Sequence, residues 1–187
     1  VGTIWRLKSP MDAMSYASVY ITNDNLAKLK EICGLLIADD DPDAKDKVAS
    51  DEWKMWQFKQ QFSSDLKKGT YQSLILLSLI NDESRNIWVD GLVRELLNGW
   101  TLQRFLSNRA YFTLLAEASP EAFLEFLEET EKDTYDVIFT PQKSKVGLTD
   151  WNIYYTEILF SLEMLAWDED YIYRATSLLL RFSAYKN

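Results

Sequence analysis

Three consecutive acidic residues, Asp168, Glu169 and Asp170, interrupt a strongly apolar stretch near the end of the chain, "LEMLAWDEDYIYRATSLLLRF". Carboxylates grouped in this way can bind a hard cation such as calcium. They can also form a corner between two helices, where carboxylates cap free amides and face the positive end of the helix dipole. Because the apolar residues on both sides keep a helical spacing, the sequence predicts a corner rather than a metal site.

A second acidic segment, residues 39–52, contains seven acids and two lysines and almost no apolar residue. Counted from Asp39, its third and fifth positions are aspartates, as in a calcium-binding loop. The sixth position is Ala44 instead of glycine, however, and the twelfth is Ser50 instead of glutamate. The pattern therefore predicts a solvated surface loop, with adventitious cation binding as the alternative.

The chain has no histidine and only one cysteine. It therefore lacks the commonest general base and metal ligand, as well as the ligands of a four-coordinate zinc site. It also has no glycine-rich phosphate loop. We expect no cofactor, no metal and no enzymatic activity. Carboxylate chemistry is the remaining catalytic alternative. Its candidates, Glu157 and Glu163, are six residues apart on one helix, so their directions differ by about 120° and they cannot converge on a substrate. The pattern therefore predicts that they are polar edges of a buried helix.

A stripe of glutamates at helical spacing predicts a solvated face or, alternatively, an acidic docking face for a basic partner. The residues of this stripe are Glu117, Glu121, Glu125, Glu128 and Glu129. Arg174 and Arg181, seven residues apart on the last helix, could receive this acidic surface or a phosphate, but an ordinary surface pair is favoured.

Composition predicts one all-α domain spanning residues 1–187. The chain is 47% hydrophobic and 14% aromatic, with only six glycines and four prolines, which disfavours folds built on many tight turns.

The net charge of -9 disfavours binding to nucleic acids and membrane surfaces. Cys33, in the apolar pattern "LKEICGLLI", predicts a buried reduced thiol and a cytoplasmic location. The start at Val1, without a methionine, suggests a piece of a longer protein.

Helical spacing of apolar residues predicts an irregular stack of antiparallel helical hairpins, α-solenoid or bundle-like, with about eight or nine helices. Ser9 and Ser119 are predicted helix caps, each followed by proline, and Asn98–Gly99 is a predicted helix stop. A break is expected near Ser107, and the segment 133–148 is expected to be a loop because it contains proline and glycine. Predicted helices cover about residues 10–20, 22–38, 63–82, 86–99, 100–118, 119–132, 149–167 and 171–182.

The predicted helix from Trp151 to Trp167 is apolar on two sides. One side carries Trp151, Tyr154, Tyr155, Ile158, Leu162 and Leu165, and the other carries Ile153, Phe160, Met164 and Trp167. The second side is either sandwiched between helices or docks on something outside the chain, so these last four residues form a candidate interaction face.

Three stretches carry a resemblance to a known type of protein: "IWRLKSPMDAMSYAS", "FLSNRAYFTLLAEASPEAFLEFLEE" and "LEMLAWDEDYIYRATSLLLRF". They resemble the helical, sensor-like repeat regions of large uncharacterised bacterial proteins, which are themselves similar to the signal-transduction NTPases of antiviral defence. There, an effector and a P-loop module precede a helical sensor. The matching positions are helix and corner signatures, so no catalytic residue is carried over. A Gly-rich, Arg-containing extension follows the final helix in that pattern, but this chain stops before it.

These observations predict a non-catalytic protein-interaction or scaffold module of a larger intracellular protein, whose partner is another protein or another part of its own chain. The alternative is a free-standing helical domain that binds a small molecule in an aromatic-lined cleft. The residues considered for that cleft are Trp53, Trp56, Trp88 and Tyr155.

Overall fold

The computed structural model describes residues 9–44, 59–80, 82–139 and 155–186. All regular structure in these ranges is helical, which confirms the all-α prediction. The α-helices are α1 (Pro10–Ala17), α2 (Asn23–Ile37), α3 (Ser64–Ser78), α4 (Glu83–Leu97), α5 (Leu102–Asn108), α6 (Phe112–Ala118), α7 (Pro120–Glu129), α8 (Lys132–Phe139), α9 (Thr156–Leu165) and α10 (Ile172–Ser183). Short 3₁₀ turns follow at Ser18–Tyr20, Arg109–Tyr111 and Ala184–Lys186. None of the described helices combines the length and the apolarity needed to span a membrane.

The short helix α6 lies at the centre of the packing. It contacts α3, α4, α7 and α9, and its Phe112, Leu115 and Ala116 have no exposed surface. Further contacts join α4 to α7 and α7 to α10, so helices that are distant along the chain are neighbours in space. In a solenoid each unit contacts only its sequence neighbours. Of the two arrangements left open by the sequence, the structure therefore has the bundle-like one.

Two groups of aromatic rings fill the core. In the first, Phe105, Phe112 and Phe126 pack around Trp100, whose ring centroid lies 5.1 Å from that of Phe126. In the second, Phe139 of α8 stacks on Tyr155 at 4.9 Å and on Phe182 at 4.9 Å. Such ring pairs add about 0.5–1.5 kcal/mol each beyond the area that they bury.

Helix α8 corrects one prediction, because residues 133–139 were expected to belong to a loop. Tyr135, Ile138 and Phe139 follow one another at helical spacing and are all buried. The Tyr135 hydroxyl also donates a hydrogen bond to the carbonyl of Leu127 at 2.5 Å. The loop signals Pro141 and the glycine beyond it lie outside the described residues, as does the predicted helical segment 149–154.

Helix ends agree with the predicted signals at most positions. Ser9 accepts a hydrogen bond from the amide of Asp12 at 3.2 Å, and Gly99 adopts the left-handed conformation (φ 67°) after α4. The break near Ser107 is confirmed, since α5 ends at Asn108. Ser119 stands at the predicted N-cap position of α7, but its hydroxyl donates to the Asp90 carboxylate at 2.5 Å and makes no capping hydrogen bond to that helix. The Ser119–Asp90 bond instead joins the start of α7 to α4.

Replacing the central Phe112 with alanine tests the role of α6. We expect Phe112→Ala to lower the free energy of unfolding by about 3–5 kcal/mol, because it leaves a cavity where four helices meet. Ile87→Ala is the matched control, because Ile87 is 66% exposed, and its effect should stay within about 0.5 kcal/mol. Urea denaturation measures the free energy of unfolding of both variants. An equal decrease in the two would contradict the central position of α6.

Candidate protein-interaction surfaces

The candidate interaction face lies on α9 and just after it. Phe160 is 57% exposed and Trp167 is 87% exposed, whereas Met164 is half-buried and packs against the core. Ile153, the fourth predicted member, lies outside the described residues. The opposite side of α9 is buried through Ile158, Leu162 and Leu165. Two large apolar side chains of the predicted face therefore point to solvent and are not sandwiched between helices.

More apolar surface follows on the other side of the corner between α9 and α10. Ile172 is 50% exposed and Tyr173 is 83% exposed, and both lie in the first turn of α10. We call Phe160, Trp167, Ile172 and Tyr173 the corner face. The inner side of α10 is fixed in the core by a buried residue in each of three turns: Ala175, Leu178 and Phe182.

The acidic triplet forms the corner itself, as the sequence predicted. The carboxylate of Asp168 accepts the amide of Asp170 at 2.9 Å, and its carbonyl accepts the amides of Tyr171 and Ile172. The Asp168 side chain thus stabilises the turn and does not cap the first turn of α10. All three acids are exposed, and no group of three or more potential metal-ligating residues occurs within the described ranges.

The predicted acidic docking face is divided between two helices. Glu117 lies exposed in α6, whereas Glu121, Glu125 and Glu128 lie in α7. Arg174 of α10 donates to both oxygens of Glu128, at 2.9 and 2.8 Å, and to Glu121 at 2.5 Å. These hydrogen bonds, first of all those to Glu128, raise the pKa of Arg174.

Two more arginine contacts complete this arrangement. Arg94 of α4 forms an ion pair with Glu125, and Arg181 donates to the carbonyl of Glu128 at 3.1 Å. The interpretation of Arg174 and Arg181 as an ordinary surface pair was therefore wrong. The glutamates of α7 join that helix to α4 and α10, and their docking to a basic partner stays a prediction.

The acidic segment after α2 is the largest departure from the predictions. Asp39 and Asp41 are 9% and 0% exposed, so residues 39–44 do not form the expected solvated loop. The carboxylate of Asp39 accepts the backbone amides of Gln61 and Phe62, at 2.9 and 3.1 Å. Residues 45–52 lie outside the described part of the chain.

Lys67, in α3, is the cation that makes this burial possible. Its side chain has no exposed surface, and its ammonium group contacts the Asp39 carboxylate at 3.2 Å and the Asp39 carbonyl at 3.1 Å. Burial lowers the pKa of Lys67, although the hydrogen bond to Asp39 opposes this shift. Burial alone would raise the pKa of Asp39, but its hydrogen bonds to Gln61, Phe62 and Lys67 outweigh burial, and the pKa is lowered.

Helix α5 holds the same segment from the other side. Ser107 accepts the Asp41 amide at 2.9 Å, and Gln103 donates to the Asp41 carbonyl at 3.1 Å. Arg104 forms an ion pair with Asp40 at 3.2 Å. These partners are more than 60 residues away from the acids, so local sequence pattern could not reveal them.

Among the described residues, the remaining sequence candidates do not converge on a common site. Glu163 is exposed, while Glu157 lies 3.8 Å from Arg109 beside a cavity of about 330 Å³. Of the aromatic residues considered for a ligand cleft, Trp88 packs against the core and Tyr155 stacks on Phe139. Trp53 and Trp56 lie outside the described residues.

A groove of about 930 Å³ lies instead beside Trp100, a residue that sequence reasoning did not single out. The last turns of α4 and α7 and the first residues of α5 and α8 line it. We call it the Trp100 groove. The signal that could have located it is the Asn98–Gly99 stop, which places an aromatic residue directly after a helix end.

Comparison of the chain with protein-family models, with curated proteins and with solved structures found no match. The resemblance to helical sensor regions therefore stays a prediction from the sequence.

Breaking the buried ion pair should be costly. We expect Lys67→Met to lower the free energy of unfolding by about 3–5 kcal/mol, because it leaves the Asp39 carboxylate buried without its cation. Lys68→Met is the matched control, since Lys68 is the exposed neighbour on the same helix. Chemical denaturation at neutral pH measures the free energy of unfolding of both variants. A similar small decrease in both would mean that the Lys67–Asp39 pair contributes little to stability.

The lowered pKa of Asp39 also predicts a pH dependence. A carboxylate whose folded-state pKa is depressed contributes stability above its ordinary pKa, about 3.9, and this stability is lost as the pH falls through the folded-state pKa. The difference in unfolding free energy between the wild type and Asp39→Asn should therefore be largest near neutral pH and shrink on acidification. Denaturation series from about pH 7 to about pH 2 measure it, and a constant difference would contradict the assignment.

Proposed function

We propose that this chain is a non-catalytic protein-interaction or scaffold module of a larger intracellular bacterial protein, and that it serves in the sensor region that the resemblance implies. Its partner is another protein or another region of the parent chain. The observation that carries this proposal is the corner face, where Trp167 and Tyr173 are 87% and 83% exposed.

Large exposed aromatic side chains favour a role in binding. Each one leaves apolar area in water that burial against a partner would stabilise at roughly 25 cal/mol per Å². Tryptophan and tyrosine are also the residues most often found to dominate the energy of protein interfaces. In the corner face, Trp167 and Tyr173 lie within seven residues of chain, and Ile172 lies between them. Phe160 precedes Trp167 by seven positions.

The corner face is presented on a fixed framework. Buried Leu162 and Leu165 anchor α9 from below, and Leu178 and Phe182 anchor α10. Side chains held by well-packed helices lose little backbone freedom on binding, which reduces the entropic cost of association. The exposed acids of the corner, Asp168 to Asp170, give the face a negative rim, so a partner with an apolar centre and basic flanks fits it best.

The ionisable groups support a non-catalytic role. The most deeply buried charged pair, Asp39 and Lys67, is bound to backbone groups and to each other. The thiol of Cys33 is fully buried in α2, and burial raises its pKa to about 12, which disfavours the reactive thiolate.

A double charge substitution tests the corner face. Phe160→Asp with Trp167→Asp should abolish the capture of a specific partner from a bacterial extract while leaving the thermal unfolding of the chain nearly unchanged, because both side chains are mostly exposed. The partner is then purified, and its binding to the wild type and to the variant is measured by calorimetry.

The matched control is Leu35→Asp with Ile87→Asp, which changes two exposed apolar residues of α2 and α4. This control should keep the partner. Equal binding by all three proteins would refute the corner face as the interaction site, and unfolding of the Phe160/Trp167 variant would show that these residues belong to the core.

A further inference from the structure

We propose that the Trp100 groove binds a polypeptide segment that carries lysine or arginine next to apolar side chains. The groove is separate from the corner face, so this inference goes beyond the function proposed above. It adds a second binding surface and states the chemistry of its occupant.

The floor of the groove is aromatic. Trp100 is half-buried, and its indole N–H donates to the carbonyl of Leu96 at 2.6 Å, which fixes the orientation of the ring. The rings of Phe105, Phe112 and Phe126 pack against it, with centroids 6.5, 5.8 and 5.1 Å away. A tryptophan held in this way offers a rigid surface both to apolar side chains and to a cation, since the face of the indole ring attracts positive charge.

Carboxylates dominate the charged lining. Four glutamates line the groove against one arginine, Arg94: they are Glu95, Glu125, Glu129 and Glu131. Arg94 is engaged by Asp90 at 2.9 Å and by Glu125. Lys30 pairs with Glu95 at 2.5 Å. Glu129 and Glu131 have no ion-pair partner within the described ranges, so the groove keeps an excess of negative charge.

An aromatic floor beneath a negative rim complements a basic and apolar occupant. A lysine or arginine side chain can lay its apolar stem along Trp100 and place its charged end near Glu129 and Glu131. The charge of the rim also repels acidic segments, which provides selectivity.

The size and shape of the groove favour a peptide over a small cation. Its volume of about 930 Å³ is near the upper end of the range for small-ligand sites, about 300–1,000 Å³, and it can hold several side chains. Thr101, Thr130 and Thr134 also line it. The Thr101 hydroxyl accepts the Arg104 amide at 3.3 Å and can still donate to a peptide carbonyl, whereas the Thr130 hydroxyl already donates to the Phe126 carbonyl at 2.7 Å and can only accept.

Fluorescence anisotropy with three labelled octapeptides tests the proposal on the intact chain. One peptide alternates arginine and leucine, the second glutamate and leucine, and the third arginine and serine. We expect the arginine–leucine peptide to bind, the glutamate–leucine peptide not to bind, and the arginine–serine peptide to bind about tenfold more weakly because it lacks apolar contacts. Failure of the arginine–leucine peptide to bind, or equal binding of the glutamate–leucine peptide, overturns the proposal.

A charge-reversal variant locates the site. Glu129→Lys with Glu131→Lys should weaken binding of the arginine–leucine peptide by about tenfold or more. The matched control, Glu31→Lys with Glu163→Lys, makes the same change in net charge at exposed positions outside the groove and should bind like the wild type. Equal weakening in both variants would mean that only the overall charge matters, and it overturns the assignment to the groove.

Two further measurements complete the test. The Phe160→Asp, Trp167→Asp variant should bind the peptide normally, which separates failure of this proposal from failure of the corner face. Arginine methyl ester should compete only at concentrations far above those of the peptide. If it binds as tightly as the peptide, the groove is a site for small cations and the peptide proposal is wrong.

Discussion

A lysine without exposed surface must keep its charge compensated inside the protein, and this requirement joins the end of α2 to α3 and α5. The ammonium group of Lys67 lies against Asp39, and the Asp39 carboxylate in turn accepts the amides of Gln61 and Phe62. The residues just after α2 and the described residues just before α3 therefore share one polar centre with Lys67. Helix α5 closes this centre through Ser107 and Gln103. Removing either partner of this pair would leave the other charge buried without compensation, which is strongly destabilising.

The sequence predicts the helices of this protein well because their apolar residues repeat at short range. The corner at Asp168 and the stop at Gly99 also depend on neighbouring residues only, and both are found as predicted. Two of the incorrect predictions share a different cause. The acidic segment has the composition of a solvated loop, but in the fold it contacts Lys67 and α5. Arg174 has the spacing of a surface residue, but in the fold it pairs with the glutamates of α7. In each case the deciding partner is distant along the chain, and neither composition nor periodicity contains that information.

The same distinction applies to the binding surfaces. Spacing on α9 identified Phe160 and Trp167 as members of a second apolar side, but it could not decide whether that side is covered. The structure places both residues at the surface. By contrast, the Trp100 groove arises where four helix ends meet, and its carboxylates come from α4, from α7 and from the residue between α7 and α8. No single segment of the sequence has the features of this groove.

The arginine contacts of α7 also lie between the two proposed binding surfaces. Arg174 connects α10 to Glu121 and Glu128, and Arg94 connects Glu125 to α4. Tyr173 lies next to Arg174 in α10, so these ion pairs connect the α10 part of the corner face to α7 and, through Arg94, to α4. The last turns of α7 and α4 form two walls of the Trp100 groove. A chain of ionic contacts thus runs from the corner face to the groove, and ion pairs of this kind weaken as the salt concentration rises.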